Sequence, residues 1–199
     1  MHSFRVFCLC LLVIGVLAGC KSPPPPPEFV NATQNDQRLI AMNQWELRGR
    51  MAFQNADERF SANVRWQQQG NDLSFKLTNV VGVTLLDMSI KDGITYLNVD
   101  DKDFSGSDPE QLIADVSGWR IPITAMQRWV KGLALNTEIA NRQSNGLLDS
   151  ITWLSGQGQW QVTYQRYTQF QGIALPQQLL IEQNDTLSIR LKINEWTVQ

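Results

Sequence analysis

The side chains that most often carry enzyme chemistry are confined to the start of this chain of 199 residues. Its one histidine is His2, and its three cysteines are Cys8, Cys10 and Cys20. Beyond Cys20 the sequence therefore offers no Ser-His-Asp triad, no Cys-His pair and no ordinary zinc site. It also leaves no thiols for a disulfide within the folded part, so stability must come from packing.

Carboxylates remain as candidate catalytic groups. Asp100, Asp101 and Asp103 form the only compact acidic group, which could serve a carboxylate-based hydrolase of the cell envelope. Their spacing in a predicted loop is more typical of a solvated turn. The chain also lacks a Gly-rich phosphate loop, so no nucleotide site is predicted. We therefore expect no enzyme activity, no catalytic residue, no metal and no cofactor.

Cys20 offers a different chemistry, the covalent attachment of lipid. Residues 4–17 are almost wholly apolar, with Arg5 near their start, and Leu-Ala-Gly at residues 17–19 precedes the cysteine. This run is too short for a membrane span, which needs about 20 residues, and it has the layout of a secretory signal. The four residues ending in Cys20 resemble the lipobox of bacterial lipoproteins. The resemblance implies that residues 1–19 are removed and that the thiol and the new amine of Cys20 are acylated. The alternative is an ordinary signal with a small-residue cleavage site.

The residues after Cys20 predict where the anchored protein lies. In such lipoproteins Asp next to the cysteine is the usual signal for the inner membrane, whereas this chain has Lys21. The resemblance therefore implies a lipid-anchored protein of the outer membrane that faces the periplasm. The five prolines at 23–27 favour polyproline II, at about 3.1 Å per residue. We interpret residues 20–30 as a tether rather than a PxxP ligand, and predict that residues 31–199 form a single domain.

The charge balance excludes one class of partner. The formal net charge is −2, and removal of Arg5 with the signal makes it one unit more negative. No basic block of the kind that nucleic acid requires is present. We therefore expect no nucleic-acid partner, and a monomer.

The hydrophobic pattern places these features on a predominantly β framework. A polar-rich segment at 31–44 predicts a short helix, and alternation with a period of two then predicts strands. Asp108, Pro109 and Gly118 have the positions of a helix cap, first residue and stop, and Thr124 is predicted to cap a second helix. The predicted strands cover residues 45–53, 60–66, 73–77, 85–90, 94–99, 148–154, 160–164, 179–182 and 187–198. Strands, a helical insertion and more strands indicate an antiparallel α+β domain.

Several stretches of the sequence resemble the LolB family of outer-membrane lipoprotein receptors. They are residues 45–50 (Trp-Glu-Leu-Arg-Gly-Arg), 77–82 (Leu-Thr-Asn-Val-Val-Gly), 118–123 (Gly-Trp-Arg-Ile-Pro-Ile), 129–133 (Trp-Val-Lys-Gly-Leu) and 192–196 (Lys-Ile-Asn-Glu-Trp). The resemblance implies an incomplete antiparallel β-barrel, a strongly curved sheet, with a helical lid over an apolar cavity. It also implies that the chain accepts acylated lipoproteins from the periplasmic carrier LolA and inserts them into the outer membrane. A protein-binding or envelope-assembly accessory module remains the alternative.

The supply of tryptophan fits an apolar cavity. Wide aromatic side chains suit the lining of a curved sheet, and the chain has seven tryptophans. Acyl chains bind by buried apolar area, at roughly 25 cal/mol per Å², without directional contacts. For any single tryptophan an ordinary core position is the alternative. We predict that the acyl-chain cavity is lined by Trp45, Leu47, Met51, Trp66, Phe75, Trp119, Trp129, Trp153, Trp160, Ile193 and Trp196.

An apolar segment between two predicted strands indicates contact with a membrane. Val80, Val81 and Gly82 stand where polar turn residues are expected, and an exposed apolar tip does nothing for folding. In the LolB family the corresponding loop carries a bulky apolar residue, generally leucine, that is thought to touch the membrane. The resemblance assigns this position to the smaller Val81, with Val83 and Leu85 adding apolar surface. The alternative is a buried strand that continues through residues 80–86.

Two cations of the first strand leave two interpretations open. Arg48 and Arg50 alternate with the apolar residues of this strand, and the simpler interpretation is that both lie on its solvated surface. A contact with an acidic carrier protein is the more specific one.

Overall fold

The computed structural model describes residues 31–156, 158–184 and 186–199. The predicted signal at 1–19, the predicted lipidation site Cys20 and the predicted tether at 20–30 lie outside these residues. None of the helices in this part of the chain has the length and hydrophobicity of a transmembrane span.

The described residues build one antiparallel sheet of eleven strands that curves without closing. The strand order is β6-β5-β4-β3-β2-β1-β11-β10-β9-β8-β7, so β6 and β7 form the two edges. The strands are β1 (Gln44–Gln54), β2 (Arg59–Gln69), β3 (Asp72–Thr78), β4 (Thr84–Lys91), β5 (Ile94–Val99), β6 (Lys102–Gly106), β7 (Ile139–Arg142), β8 (Leu148–Ser155), β9 (Gly158–Phe170), β10 (Ile173–Gln183) and β11 (Leu187–Val198).

Alternation of apolar and polar residues explains which face of the sheet is buried. In β1 the side chains of Leu47, Met51 and Phe53 are buried, whereas Arg48 and Arg50 are exposed. Successive side chains of a strand point to opposite faces, so the inward phase of each strand supplies the core. The inner face and the helices share one hydrophobic cluster. The predicted antiparallel α+β fold with a strongly curved, incomplete barrel is confirmed.

In the part of the chain that the structure describes, three helices accompany the sheet: α1 (Ala32–Ala41), α2 (Pro109–Ser117) and α3 (Ile123–Trp129). The Asp108 carboxylate caps α2 by accepting hydrogen bonds from the backbone N–H groups of residues 110 and 111, each 3.0 Å long. Gly118 ends α2 with φ of +77°, a conformation that costs glycine little. Both predictions for α2 are confirmed. The predicted cap of α3 is wrong, because Thr124 lies inside the helix and Pro122 holds the cap position without a side-chain bond.

Helix α1 is fixed against one end of the sheet. The side chain of Asn35 donates to the carbonyl of Ala174 (3.3 Å) and accepts from its N–H (3.0 Å). Lys131 Nζ donates to the carbonyls of Leu39 and Met42 at the carboxyl end of the helix, both at 3.1 Å. Burial, with repulsion from Arg128, lowers the pKa of Lys131 to about 8.

The antiparallel order sorts the connecting loops to two ends. Loops 55–58, 79–83 and 100–101 lie at one end, which we call the tip end. The turns at 92–93 and 171–172 lie at the opposite end, as does α1. Two edge strands escaped prediction: β6 has only five residues, and all four residues of β7 are exposed, so burial does not alternate along it.

Candidate functional site

An apolar cavity of about 360 Å³ lies between the inner face of β1–β5 and the segment that contains α2 and α3. Most of its lining is aliphatic or aromatic, and its two charged residues are both acidic. The lining residues are Met51, Phe53, Glu58, Phe60, Phe75, Leu77, Leu86, Met88, Leu97, Val99, Asp100, Ile113, Val116, Ser117, Trp119, Ile121, Ile123, Met126 and Ile189. In size and apolarity it matches the pockets that hold small hydrophobic ligands.

The structure brings three of the predicted lining residues to this cavity: Met51, Phe75 and Trp119. The others pack elsewhere in the hydrophobic cluster. Trp153 is half-buried, with its ring 5.8 Å from that of Trp129. The buried predicted residues outside the lining are Trp45, Leu47, Trp66, Trp129, Trp160, Ile193 and Trp196.

Most of the lining belongs to residues that sequence reasoning passed over. The rings of Phe53 and Phe60 stack 5.2 Å apart at the tip end of β1 and β2. Leu97 and Val99 follow the same inward alternation on β5. That alternation was the available signal, and it pointed to small aliphatic side chains as readily as to tryptophans.

Helix α2 lies over the cavity as a lid. None of its residues is buried, although Ile113 and Val116 turn toward the cavity and are half-buried. Arg120 ties the segment after the helix back to its start, with ion pairs to Asp108 (2.9 Å) and Glu110 (3.9 Å). The backbone N–H of Gln111 helps lower the pKa of Asp108, whereas burial raises that of Glu110. A lid with few buried contacts can move at low cost.

The opening of the cavity lies at the tip end of the sheet. Its exposed lining residues, which mark the opening, are Glu58, Phe60, Asp100 and Ser117. Leu77 and Leu86, at the ends of the strands that flank loop 79–83, also line the cavity. Because β3 and β4 lie between β2 and β5, loop 79–83 lies between the loops that carry Glu58 and Asp100 at the opening.

Loop 79–83 presents its valines to solvent. Val80 and Val81 are 75% and 79% exposed, and Val83 is 57% exposed. The side chain of Asn79 accepts hydrogen bonds from the N–H groups of Val81 (3.0 Å) and Val83 (2.9 Å), which fixes the turn. The alternative of a buried strand through residues 80–86 is wrong, because β3 ends at Thr78 and β4 begins at Thr84.

The two cations of β1 have different surroundings. Arg48 and Arg65 both pair with Glu46, and hydrogen bonds from Arg65 above all, then from Arg48 and Gln67, lower the pKa of Glu46 to about 2. Arg50 lies opposite Lys192 in the ladder and forms no ion pair within the described residues.

The acidic group splits between a turn and an edge strand. Asp100 and Asp101 are exposed, and both adopt positive φ, 51° and 58°. Asp103 belongs to β6, where it accepts a hydrogen bond of 2.7 Å from Asn98.

Solved structures with the same architecture define a class for this fold. A DUF1329 family protein from Desulfovibrio piger is similar with a TM-score of 0.57, 9% identity, and coverage of 84% of this chain and 90% of that one. A LolA superfamily protein from Nitrosomonas europaea is similar with a TM-score of 0.52, 9% identity, and coverage of 85% and 94%. At such identities the likeness concerns the fold alone.

Sequence comparison narrows the class to a family. The family model described as "Outer membrane lipoprotein LolB" matches residues 43–196. The chain is 35% identical over 196 residues to outer-membrane lipoprotein LolB of Aeromonas hydrophila, covering 98% of this chain and 96% of that protein. It is 33% identical over 191 residues to outer-membrane lipoprotein LolB of Shewanella denitrificans, covering 94% of this chain and 92% of that protein. The chain belongs to the LolB family, and the predicted family is confirmed.

Proposed function

We propose that this chain receives acylated lipoproteins from a LolA-like periplasmic carrier into the cavity beneath α2 and inserts them into the outer membrane. Membership of the LolB family makes it an outer-membrane protein of lipoprotein localization. The observation that carries the proposal is a shared location: the cavity opens at the same end of the sheet as the exposed valines of loop 79–83.

The chemistry of the lining suits a guest that must be released again. An acyl chain in this cavity is stabilised by the apolar area that it loses to solvent, at roughly 25 cal/mol per Å². Aliphatic and aromatic walls offer it no directional bond that would have to be broken on release. Because the sequence predicts no nucleotide site, we infer that the direction of transfer follows from graded affinity among carrier, cavity and bilayer.

The exposed valines give the cavity a point of contact with the bilayer. Val80 and Val81 gain by moving from water into the interfacial region, whereas they contribute little to the core. With loop 79–83 in the membrane, the opening beside Glu58 and Phe60 faces the lipid surface. A released acyl chain then travels a short path from cavity to bilayer.

The lipid that the sequence predicts on Cys20 fits the same arrangement. An acylated Cys20 with two or more chains holds a domain stably at a membrane, whereas one chain holds only marginally. Residues 20–30 then link the anchor to α1, and the domain of residues 31–199 remains in the periplasm at the outer membrane.

Displacement of an apolar fluorescent probe tests the proposal. The probe is bound to the mature chain with Cys20→Ala, so that no attached lipid competes for the cavity. An acylated lipoprotein is expected to displace the probe, and the same lipoprotein without its acyl chains is expected to leave it bound. Equal displacement by both forms would overturn the proposal in favour of a protein-binding accessory module.

A further inference from the structure

We propose that the resting cavity holds a single acyl chain, and that it selects a lipid whose headgroup carries an ammonium over one whose head is anionic. This inference rests on the acyl-chain role of the cavity proposed above. It adds a ligand class: single-chain zwitterionic lipids of the phosphoethanolamine type.

The volume of the cavity sets the number of chains. A cavity of about 150 Å³ holds the six carbons of benzene, so roughly 25 Å³ serves one carbon. On that scale the cavity of about 360 Å³ holds roughly fourteen carbons, which corresponds to one acyl chain. A lipid with two chains exceeds the space between the sheet and α2 in this state.

The charged residues at the opening determine which lipid headgroup is favoured there. Of the residues that line the cavity, Glu58 and Asp100 are the charged ones, and both are exposed at the tip end. A chain that enters methyl end first leaves its headgroup beside these two carboxylates. An ammonium there is attracted, and a headgroup with net negative charge is repelled.

The neighbouring cations do not line the opening. Arg59 follows Glu58 but pairs with Gln54 on the outer face of the β1–β2 hairpin. Lys102 pairs with Val99 in the ladder and therefore lies on the cavity side of the edge strand, where it is exposed and outside the lining. The two lining carboxylates, with Asp57 and Asp101 in the same loops, outnumber Lys102, so the opening carries a net negative charge.

The test compares two lipids that differ in the headgroup alone. Lysophosphatidylethanolamine and lysophosphatidylglycerol with the same fourteen-carbon chain are titrated, below their micelle concentrations, into the mature chain with Cys20→Ala. At low salt the zwitterionic lipid is expected to bind roughly 1.5-fold to fivefold more tightly, the range for attraction between exposed charges. The preference should shrink as salt is raised.

Two variants locate the effect. The double variant Glu58→Gln with Asp100→Asn is expected to bind both lipids equally. Asp72→Asn removes one negative charge from an exposed position at the opposite end of β3 and is expected to keep the preference. Native mass spectrometry should show one lipid per chain.

The outcomes separate this inference from the proposed function. Equal affinities in the parent chain, tighter binding of the anionic lipid, a preference that survives the double variant, or two lipids per chain would each overturn the inference while leaving an acyl-chain cavity in place. Failure of both lipids to bind would overturn the inference and the proposed function together.

Discussion

Gly49 of β1 lies directly against Lys192 and Ile193 of β11, at a bulge that shifts the register of the two strands. A Cβ atom at position 49 would stand 2.1 Å from the carbonyl oxygen of Lys192 and 2.9 Å from the Cα atom of Ile193. Both obstacles are backbone atoms, so they cannot turn aside. At this bulge β1 and β11 approach each other too closely for any side chain at position 49.

Gly49→Ala is therefore expected to destabilise the domain by about 1–3 kcal/mol, the usual cost of overpacking a buried site. The free energy of unfolding in urea is the measurement. Gly106→Ala is the matched control, because its Cβ would meet only Leu112 at an ordinary 3.8 Å. A change of similar size in both variants would contradict the close approach at position 49.

Trp119 and Trp66 should respond differently to truncation. Trp119 lines the cavity and is half-buried, whereas Trp66 is fully buried in the core and contacts the ring of Phe75 edge-on. Trp66→Ala is expected to lower the free energy of unfolding by about 3–5 kcal/mol. Trp119→Ala is expected to weaken binding of an apolar fluorescent probe while leaving the core intact. Loss of probe binding only in the Trp66 variant would place the ligand elsewhere.

A charge in loop 79–83 should uncouple membrane contact from folding. Val81→Glu leaves the core untouched because Val81 is exposed, but a carboxylate enters the membrane interface at high cost. The variant is expected to accept lipoproteins from the carrier and to deliver few of them to vesicles in a transfer assay. Ile40→Glu introduces the same charge at an exposed apolar position of α1, at the other end of the sheet, and should deliver normally. Normal delivery by the Val81 variant would remove loop 79–83 from the mechanism.

The Glu46 cluster should make stability depend on acidity. Hydrogen bonds from Arg65, with those from Arg48 and Gln67, lower the pKa of Glu46 from 4.5 to about 2 in the folded chain. A lowered carboxylate pKa stabilises the folded state fully above pH 4.5, and this stabilisation disappears as the pH falls toward 2.

Glu46→Gln is accordingly expected to melt at a lower temperature than the parent chain near pH 7, with the difference shrinking between about pH 4.5 and 2. Thermal unfolding followed by circular dichroism over this range is the measurement. Asp72 makes no ion pair among the described residues, so Asp72→Asn should show no comparable trend with pH. A difference that stays constant with pH would mean that Glu46 acts by packing alone.

Alternation of residues carried the prediction of the sheet because it reports directly which face of a strand is buried. The period of two in residues 45–53 puts Leu47, Met51 and Phe53 on one face of the strand, and that face is buried. The edge strand β7 gave no such signal, because both of its faces are exposed. Similarly, local cap patterns located α2, whereas α3 starts without a side-chain cap and its first residue was misplaced.

The candidate site was harder to predict than the fold. Periodicity places Trp45, Trp160 and Trp196 on the inner face of the sheet. It does not say whether the segment packed against that face fills the space beside each residue or leaves a cavity there. That distinction depends on where the lid segment crosses the sheet, which is a long-range property. The lid covers β1–β5, so Phe53 and Leu97 line the cavity, whereas the tryptophans near β9 and β11 are packed into solid core.

Within the described chain, β6 and β7 each pair with one neighbouring strand, so the sheet has two unpaired edges and does not close into a barrel. A closed barrel can widen its interior only by breaking hydrogen bonds between strands. This open sheet can instead bend β4–β6 outward while all its backbone hydrogen bonds between strands stay intact. Under the proposed function, cargo with several fatty chains enters by bending of the sheet rather than by unfolding.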